Sequence, residues 1–177
     1  MSGRKLTNDE LERKTIKAYK EAKKMPLIIV LDNVRSLNNI GSVFRTADAF
    51  LIEGIYLCGF TATPPHRDIH KTALGATESV EWKHFDSTET AISELKSNNY
   101  SVVSFEQTQQ SISLTTFIPD KNRSYALIFG NEVRGVDQKV IDMSDACVDI
   151  PQFGTKHSFN IAVSAGIVLW DFYLKLQ

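Results

Sequence analysis

The sequence predicts an α/β domain with a mainly parallel sheet and helices on both faces. Three observations carry this. Leu27–Leu31 and Tyr125–Phe129 are unbroken apolar runs, as strands buried on both faces require. Strand-like and helix-like segments alternate along the chain, the pattern of parallel sheets crossed by helices. Several apolar runs lead directly into glycine and polar residues, and in open α/β sheets ligands sit beyond such strand ends. A length of 177 residues suits one domain, and 42% hydrophobic against 23% charged residues excludes a disordered tail.

Each element has its own signal. Residues 7–24 read as a helix, with Thr7 or Asn8 as cap, Asp9 and Glu10 in the first turn, Lys23 and Lys24 in the last, and Pro26 as the stop. Leu27–Leu31 is the first strand, and Asp32–Asn38 a polar loop. A helix is expected from about Asn39 to Phe50, and Ile55–Cys58 is the second strand, ended by Gly59. Pro64 and Pro65 stiffen the loop Ala62–His66. A short helix over Ile69–Ala76 precedes the alternating strand Val80–Phe85. Thr88–Ser97 is an amphipathic helix and Ser101–Glu106 a strand. After Tyr125–Phe129 come a short helix, Asp137–Met143, a short strand, Ala146–Ile150, and a terminal helix, Asn160–Leu176. There is no internal repeat or low-complexity tract. Residues 25–177 are expected to be the domain and residues 1–24 a basic helical extension.

Charge and cysteine usage narrow the function classes. The net charge is -1, so a uniformly basic coat for nucleic acid is excluded. Residues 1–24 nevertheless hold eight Lys or Arg against four Asp or Glu, which leaves the remainder acidic. This reads either as a solvated helix face or as an electrostatic arm for a phosphate backbone. Cys58 and Cys147 cannot build a disulfide framework, and no C-x-x-C pair is present. The most apolar stretch, Phe159–Leu174, is interrupted by Asn160, Ser164 and Asp171, too polar and short to span a bilayer. The N-terminus lacks the apolar core of a secretory signal, and a cytoplasmic location is expected. The terminal helix has almost no polar face, so it must be buried on most sides, and a second subunit is one way to bury it.

Three segments at strand ends carry the chemistry. In Asn38–Ala47, an asparagine cap, a packing role for Gly41 and an Arg45–Asp48 pair form the plain account. In Phe129–Gly135, a strand ends in Gly130, then Glu132, then Gly135, and a turn would explain it. In Ile150–Ala162, Pro151 keeps Ile150 extended and Ser158 is a natural cap for the last helix. Taken together and in order, the three resemble the SPOUT class of methyltransferases, and its SpoU or TrmH branch most closely. That family's Asn-x-Gly-x-x-x-Arg motif matches Asn39, Gly41 and Arg45. Its strand into Gly-x-Glu-x-x-Gly matches Gly130, Glu132 and Gly135. Its Ile-Pro followed by Ser-x-Asn at a helix start matches Ile150, Pro151, Ser158 and Asn160. The resemblance covers roughly residues 26–175. One departure is Phe159, where the family usually has leucine, which implies a reshaped pocket.

The resemblance implies an RNA 2′-O-ribose methyltransferase acting on tRNA or rRNA, with S-adenosylmethionine as cofactor. It implies a C-terminal trefoil knot, which pattern reasoning alone would not propose. It also implies a homodimer whose active sites lie at the subunit interface. Carried over, Phe129, Gly130, Ile150 and Phe159 line the cofactor pocket, with Ser158 at its mouth. Arg45, Asn39, Glu132, Ser158 and Asn160 form the catalytic set. The family assigns Arg45 the activation of the 2′-hydroxyl. A guanidinium with a pKa above about 12 is a poor base, so gripping a substrate phosphate and stabilising the developing alkoxide suits Arg45 better. A sulfonium is already a good methyl donor, so no metal is required.

His66-x3-His70 has the spacing of a metal pair but no third ligand at a familiar distance. With Arg67 and Lys71, His66 and His70 fit better in a cationic loop facing RNA or simply exposed to solvent. RNA is the expected partner; DNA and membrane are not. The contrasting reading is a non-catalytic RNA-binding module on the same scaffold, against which the presence of the whole polar set speaks. A flavodoxin-like or receiver-type domain would need a phosphate loop or acidic cluster after the first strand, where only Asp32 stands. A dinucleotide-binding domain would need G-x-G-x-x-G, which is absent.

Overall fold

The first strand, β1 (Met25–Asp32), is the spine of the molecule, and its alternation explains the rest. In the computed structural model, which describes residues 3–7 and 9–177, Leu27, Ile29 and Leu31 face one hydrophobic core and Ile28 and Val30 the other. The same two-residue period divides β6 (Ser124–Phe129): Tyr125, Leu127 and Phe129 join the first core, Ala126 and Ile128 the second. A strand with apolar residues on both faces must be covered on both, and it is.

The other strands are β2 (Ile52–Cys58), β3 (Glu81–Phe85), β4 (Tyr100–Phe105), β5 (Ile112–Ser113) and β7 (Ala146–Asp149). They form one seven-stranded sheet in the order β3-β2-β1-β6-β4-β7-β5, and every pairing is parallel. The larger core is roofed by α2 (Leu37–Ala49), α3 (Arg67–Ala73) and α7 (Ile161–Leu176); the smaller one by α5 (Thr88–Ser97) and α6 (Gln138–Met143). The expected α/β class, parallel sheet and two-sided helices are all present.

Several local expectations are corrected. Residues 7–24 do not form one helix. A 3-10 turn at Asp9–Leu11 and a short α1 (Ile16–Glu21) are separated by a break in which Glu12 takes a positive φ. Thr15 caps α1 by accepting from the Ala18 amide at 3.2 Å; the proposed cap Asn8 lies outside the described residues. The helix expected over Ile69–Ala76 is two, α3 and α4 (Ala76–Ser79), divided where Leu74 and Gly75 both turn left-handed. α2 begins two residues early because Ser36, not Asn39, caps it. Asn160, not Ser158, caps α7, accepting from the Ala162 amide at 2.9 Å. Strand β5 was not foreseen.

Helix α7 is less buried than its composition implies. Phe172 is fully enclosed, with the rings of Phe105, Phe117 and Tyr125 around it. On the opposite side Val163, Trp170 and Leu174 are each half exposed, and Trp170 stacks with Tyr173 beside Phe50. Both cysteines are free thiols, and burial raises the pKa of each, that of Cys58 to about 12. This is the profile of unreactive packing residues. Among the described residues no helix is long and apolar enough to cross a membrane.

Candidate active site

The carboxyl ends of β4, β6 and β7 are adjacent in the sheet, so the segments leaving them share one space. A cavity of about 700 Å³ opens there, lined by Glu106–Thr108, by Phe129–Val136 and by parts of the 149–161 segment. Of the residues proposed to line a cofactor pocket, Phe129, Gly130, Ile150, Ser158 and Phe159 all border this cavity. Phe129 is buried, while Phe159 is 40% exposed.

The loop after β6 owes its shape to its own residues. The Asn131 side-chain oxygen accepts from the amides of Val133 and Arg134 at 2.9 and 3.1 Å, a local turn that asparagine forms readily. Its amide group donates to the Asn33 carbonyl at 2.7 Å, tying the loop to the end of β1. Asn131 and Gly135 exchange backbone hydrogen bonds across the loop. Gly135 has a φ of 69°, which glycine adopts without strain. Gly130 is pressed against the backbone of Gly135 and Val136, where a Cβ would collide. The two glycines of the second motif are thus steric requirements of this closed turn.

Glu132 leaves that turn toward α2. Its carboxylate accepts from the backbone amides of Arg35 and Ser36 at 3.0 and 2.9 Å, and from the Asn39 side-chain amide at 3.3 Å. Asn39 in turn accepts from the Asn160 amide at 3.0 Å. Asn39, Glu132 and Asn160, one from each of the three motifs, therefore form a continuous chain of hydrogen bonds. Burial disfavours the charged form of Glu132, but the donors outweigh it and hold the carboxyl below the usual carboxylate range. Ser158 lies on the cavity wall near this chain without joining it.

Arg45 is placed elsewhere. It is exposed on α2 and lines a second cavity of about 620 Å³, between residues 11–19 and the α3–α4 corner, which shares no residue with the first. The pair with Asp48 does not form; Asp48 accepts from the Ser79 hydroxyl instead. Among the described residues Arg45 has no ion pair. Gly41 is buried in α2 facing α3. His66 caps α3, its Nδ1 accepting from the Asp68 amide at 3.2 Å, and Arg67 and Lys71 are exposed on that helix. Among the described residues no three His, Cys, Asp or Glu side chains cluster as a metal site.

Sequence reasoning missed two groups. Asp32, at the end of β1, is 2% exposed and accepts from the Thr88 hydroxyl at 2.6 Å and the Asp137 amide at 3.3 Å. Glu106 and Gln107, at the end of β4, touch both of the other loops. The signal was present: a polar pair directly after an apolar strand, as in the segments that were singled out.

The fold and these motifs recur in known proteins. The SpoU rRNA Methylase family matches residues 26–170. A 23S rRNA (guanosine-2'-O-)-methyltransferase, RlmB, from Neisseria meningitidis is 31% identical over 144 residues, 81% of this chain and 56% of the relative. This chain thus spans little more than half the length of that relative. A solved rRNA methyltransferase from Sinorhizobium meliloti, with bound AdoMet, superimposes with a TM-score of 0.80 at 28% identity, covering 88% of this chain and 58% of the other. A structure concerned with 2-OH methylation of C/U34 on tRNA superimposes with a TM-score of 0.74 at 25% identity, covering 86% of this chain and 98% of the other. With one residue of each motif joined in a single chain of hydrogen bonds and a match across four-fifths of its length, the chain belongs to the SpoU rRNA Methylase family.

Proposed function

We propose that this chain is an S-adenosylmethionine-dependent methyltransferase that modifies ribose 2′-hydroxyls of RNA. One observation carries the reading. The cavity at the strand ends is walled partly by residues 150–159, which make no backbone–backbone hydrogen bond among the described residues. Backbone donors and acceptors left open beside a cavity of nucleoside size are what a ligand held by main-chain groups requires. Phe129, Ile150 and Phe159 offer apolar surface to an adenine ring, and Gly130 and Ser158 also line the cavity. Bound there, the cofactor supplies an electrophilic methyl group on a sulfonium centre.

The chain's own residues do the rest. Glu132, Asn39 and Asn160 fix the start of α2 against the start of α7, so that the polar rim of the cavity is preorganised. Arg45 holds a substrate phosphate and stabilises negative charge developing on the attacking oxygen. Because Arg45 does not border the cofactor cavity of its own chain, it acts on the cavity of a second copy. The half-exposed Val163, Trp170 and Leu174 of α7 supply an apolar face for that homodimer. His66, Arg67 and Lys71 contribute exposed polar groups for backbone phosphates. We also infer that the C-terminal segment forms a trefoil knot, supported by the likeness to solved members of the family; a chain trace in an experimental map through residues 130–160 decides it.

The test of the function is methyl transfer from labelled S-adenosylmethionine to tRNA and to rRNA. The expected product resists alkaline cleavage at the modified position, because a 2′-O-methyl group removes the internal nucleophile. A well-folded protein that binds RNA but neither binds the cofactor nor transfers a methyl group would favour the non-catalytic RNA-binding module.

Residues 1–24 are proposed as a basic extension to residues 25–177 that contacts the RNA backbone. Lys20 pairs with Glu81 at 3.5 Å and Lys24 bonds the Tyr19 carbonyl, while Lys14 and Lys17 are exposed. Replacing Lys14, Lys17, Lys20 and Lys24 by Ala is expected to weaken RNA binding and flatten its salt dependence by roughly one unit of slope per lost phosphate contact. An unchanged slope would exclude the role.

A further inference from the structure

We propose that Glu106 and Gln107 are positioning residues that set the spacing between the two loops walling the cofactor cavity. This rests on the reading of that cavity as the S-adenosylmethionine site. In the sheet, β4 lies between β6 and β7, so its carboxyl end falls between the loop after β6 and the loop after β7. The two residues that leave β4 reach in opposite directions.

Glu106 holds the first loop. One carboxylate oxygen accepts from the Val136 amide at 3.0 Å, and the other accepts from the Gln107 amide at 2.8 Å. With both oxygens engaged, the carboxylate has a fixed orientation. Gly135 passes so close to it that a Cβ there would strike the Glu106 carboxylate. The backbone of Glu106 is itself tied to the Val148 carbonyl of β7 at 3.1 Å.

Gln107 holds the second loop. Its side-chain amide donates to the His157 carbonyl at 2.7 Å. Among the described residues this is the single hydrogen bond made by residues 150–159 to any other part of the chain. The segment that carries Ile150, Ser158 and Phe159 is therefore anchored by Asn160 at one end, by β7 at the other, and by Gln107 between them. A ligand site needs its walls held at a defined separation, and a hydrogen bond lost from a supporting residue loosens it without removing any contact group.

The experiment compares Gln107→Ala, Gln107→Glu, Gln107→Lys and Glu106→Ala with the wild type. It uses calorimetric titration with S-adenosylmethionine, and limited tryptic cleavage and amide hydrogen exchange on the cofactor-free protein. Gln107→Ala and Gln107→Glu both lack the donor and are expected to raise the dissociation constant about tenfold, the loss of one hydrogen bond of about 1.4 kcal/mol. Gln107→Lys keeps a donor and is expected to restore most of the affinity. Tryptic cleavage after the exposed Lys156 should accelerate in the donorless variants, and amide exchange at residues 134–137 should accelerate in Glu106→Ala, with the amides of β1 and β6 unchanged. In turnover, KM for the cofactor should rise while KM for RNA stays fixed. Affinity and cleavage at Lys156 equal to wild type in the donorless variants would overturn the proposal, whether or not Glu106→Ala folds. A wild type that binds no S-adenosylmethionine would instead overturn the cofactor reading, and the cleavage and exchange data would report the loop links separately.

Discussion

Replacing Arg45 by Ala should lower the rate of methyl transfer by about 10²–10³-fold, the usual cost of removing one group that stabilises developing charge. Affinity for S-adenosylmethionine should stay within about twofold of wild type, under 0.5 kcal/mol. The split follows from placement: Arg45 is exposed on α2, in a cavity that shares no residue with the one lined by Phe129, Gly130 and Ile150. If the guanidinium serves the cofactor cavity of a second copy, mixing should restore activity. Arg45→Ala and a variant with a blocked cofactor cavity, Ser158→Trp, would each be inactive alone. Their statistical mixture contains heterodimers with one complete site, giving about a quarter of wild-type turnover. Sedimentation shows whether each variant is a dimer, and co-purification of differently tagged copies from the mixture shows whether subunits exchange. Activity in the mixture no greater than in either variant would show that Arg45 does not act across an interface, and loss of cofactor binding in Arg45→Ala would assign it to the wrong ligand.

The parts of the fold that were legible in the sequence are those in which a residue's surroundings follow from its neighbours in the chain. Leu27–Leu31 and Tyr125–Phe129 could only be strands covered on both faces, and the short helix expected over Asp137–Met143 is present as α6, with Asp137 as its cap. The break in the N-terminal segment was not legible, because Glu12 and Arg13 are ordinary helix formers and nothing local demands the positive φ at Glu12. Ile112 and Ser113 are too short and exposed to show a strand pattern; they pair because Val148 and Asp149 lie alongside.

The site divides in the same way. The resemblance to the family's motifs pointed to Asn39, Glu132 and Asn160, and these three are brought together. Which polar residue caps which helix was not readable. Ser36, Asn38 and Asn39 are all competent caps, and the choice of Ser36 is reinforced by Glu132, which takes the Arg35 and Ser36 amides from 97 and 96 residues away. At α7 the preference of Asn160 over Ser158 follows from the Asn160 amide reaching Asn39 while its oxygen caps the helix. Glu106 and Gln107 escaped notice because their partners, Val136 and His157, are backbone groups with no residue type to betray them.

Glu132 concentrates the remaining consequences, and Glu132→Ala is expected to reduce cofactor affinity by about 10²-fold. Two backbone amides lose a charged acceptor, each worth about 1.5 kcal/mol at the low end suited to an exposed carboxylate, and Asn39 loses the partner that orients it toward Asn160. Glu132→Gln keeps the shape and one acceptor, so it should fall between the two. The effect depends on pH in a determined direction. The donors hold the folded carboxyl below its unfolded value of about 4.3. The stabilisation is therefore complete above that value and disappears as pH falls through the lower, folded one. Wild-type affinity for S-adenosylmethionine should be flat from about pH 7 to pH 5 and decline on the acid side. Glu132→Gln, with nothing to protonate at this position, should start weaker and lose that part of the acid decline. Calorimetric titrations of both proteins across this range measure the difference. Identical acid limbs would mean that Glu132 is not the group through which protonation loosens the loop, and unchanged affinity in Glu132→Ala would mean that the chain of hydrogen bonds from Asn160 through Asn39 to Glu132 does not organise the cavity.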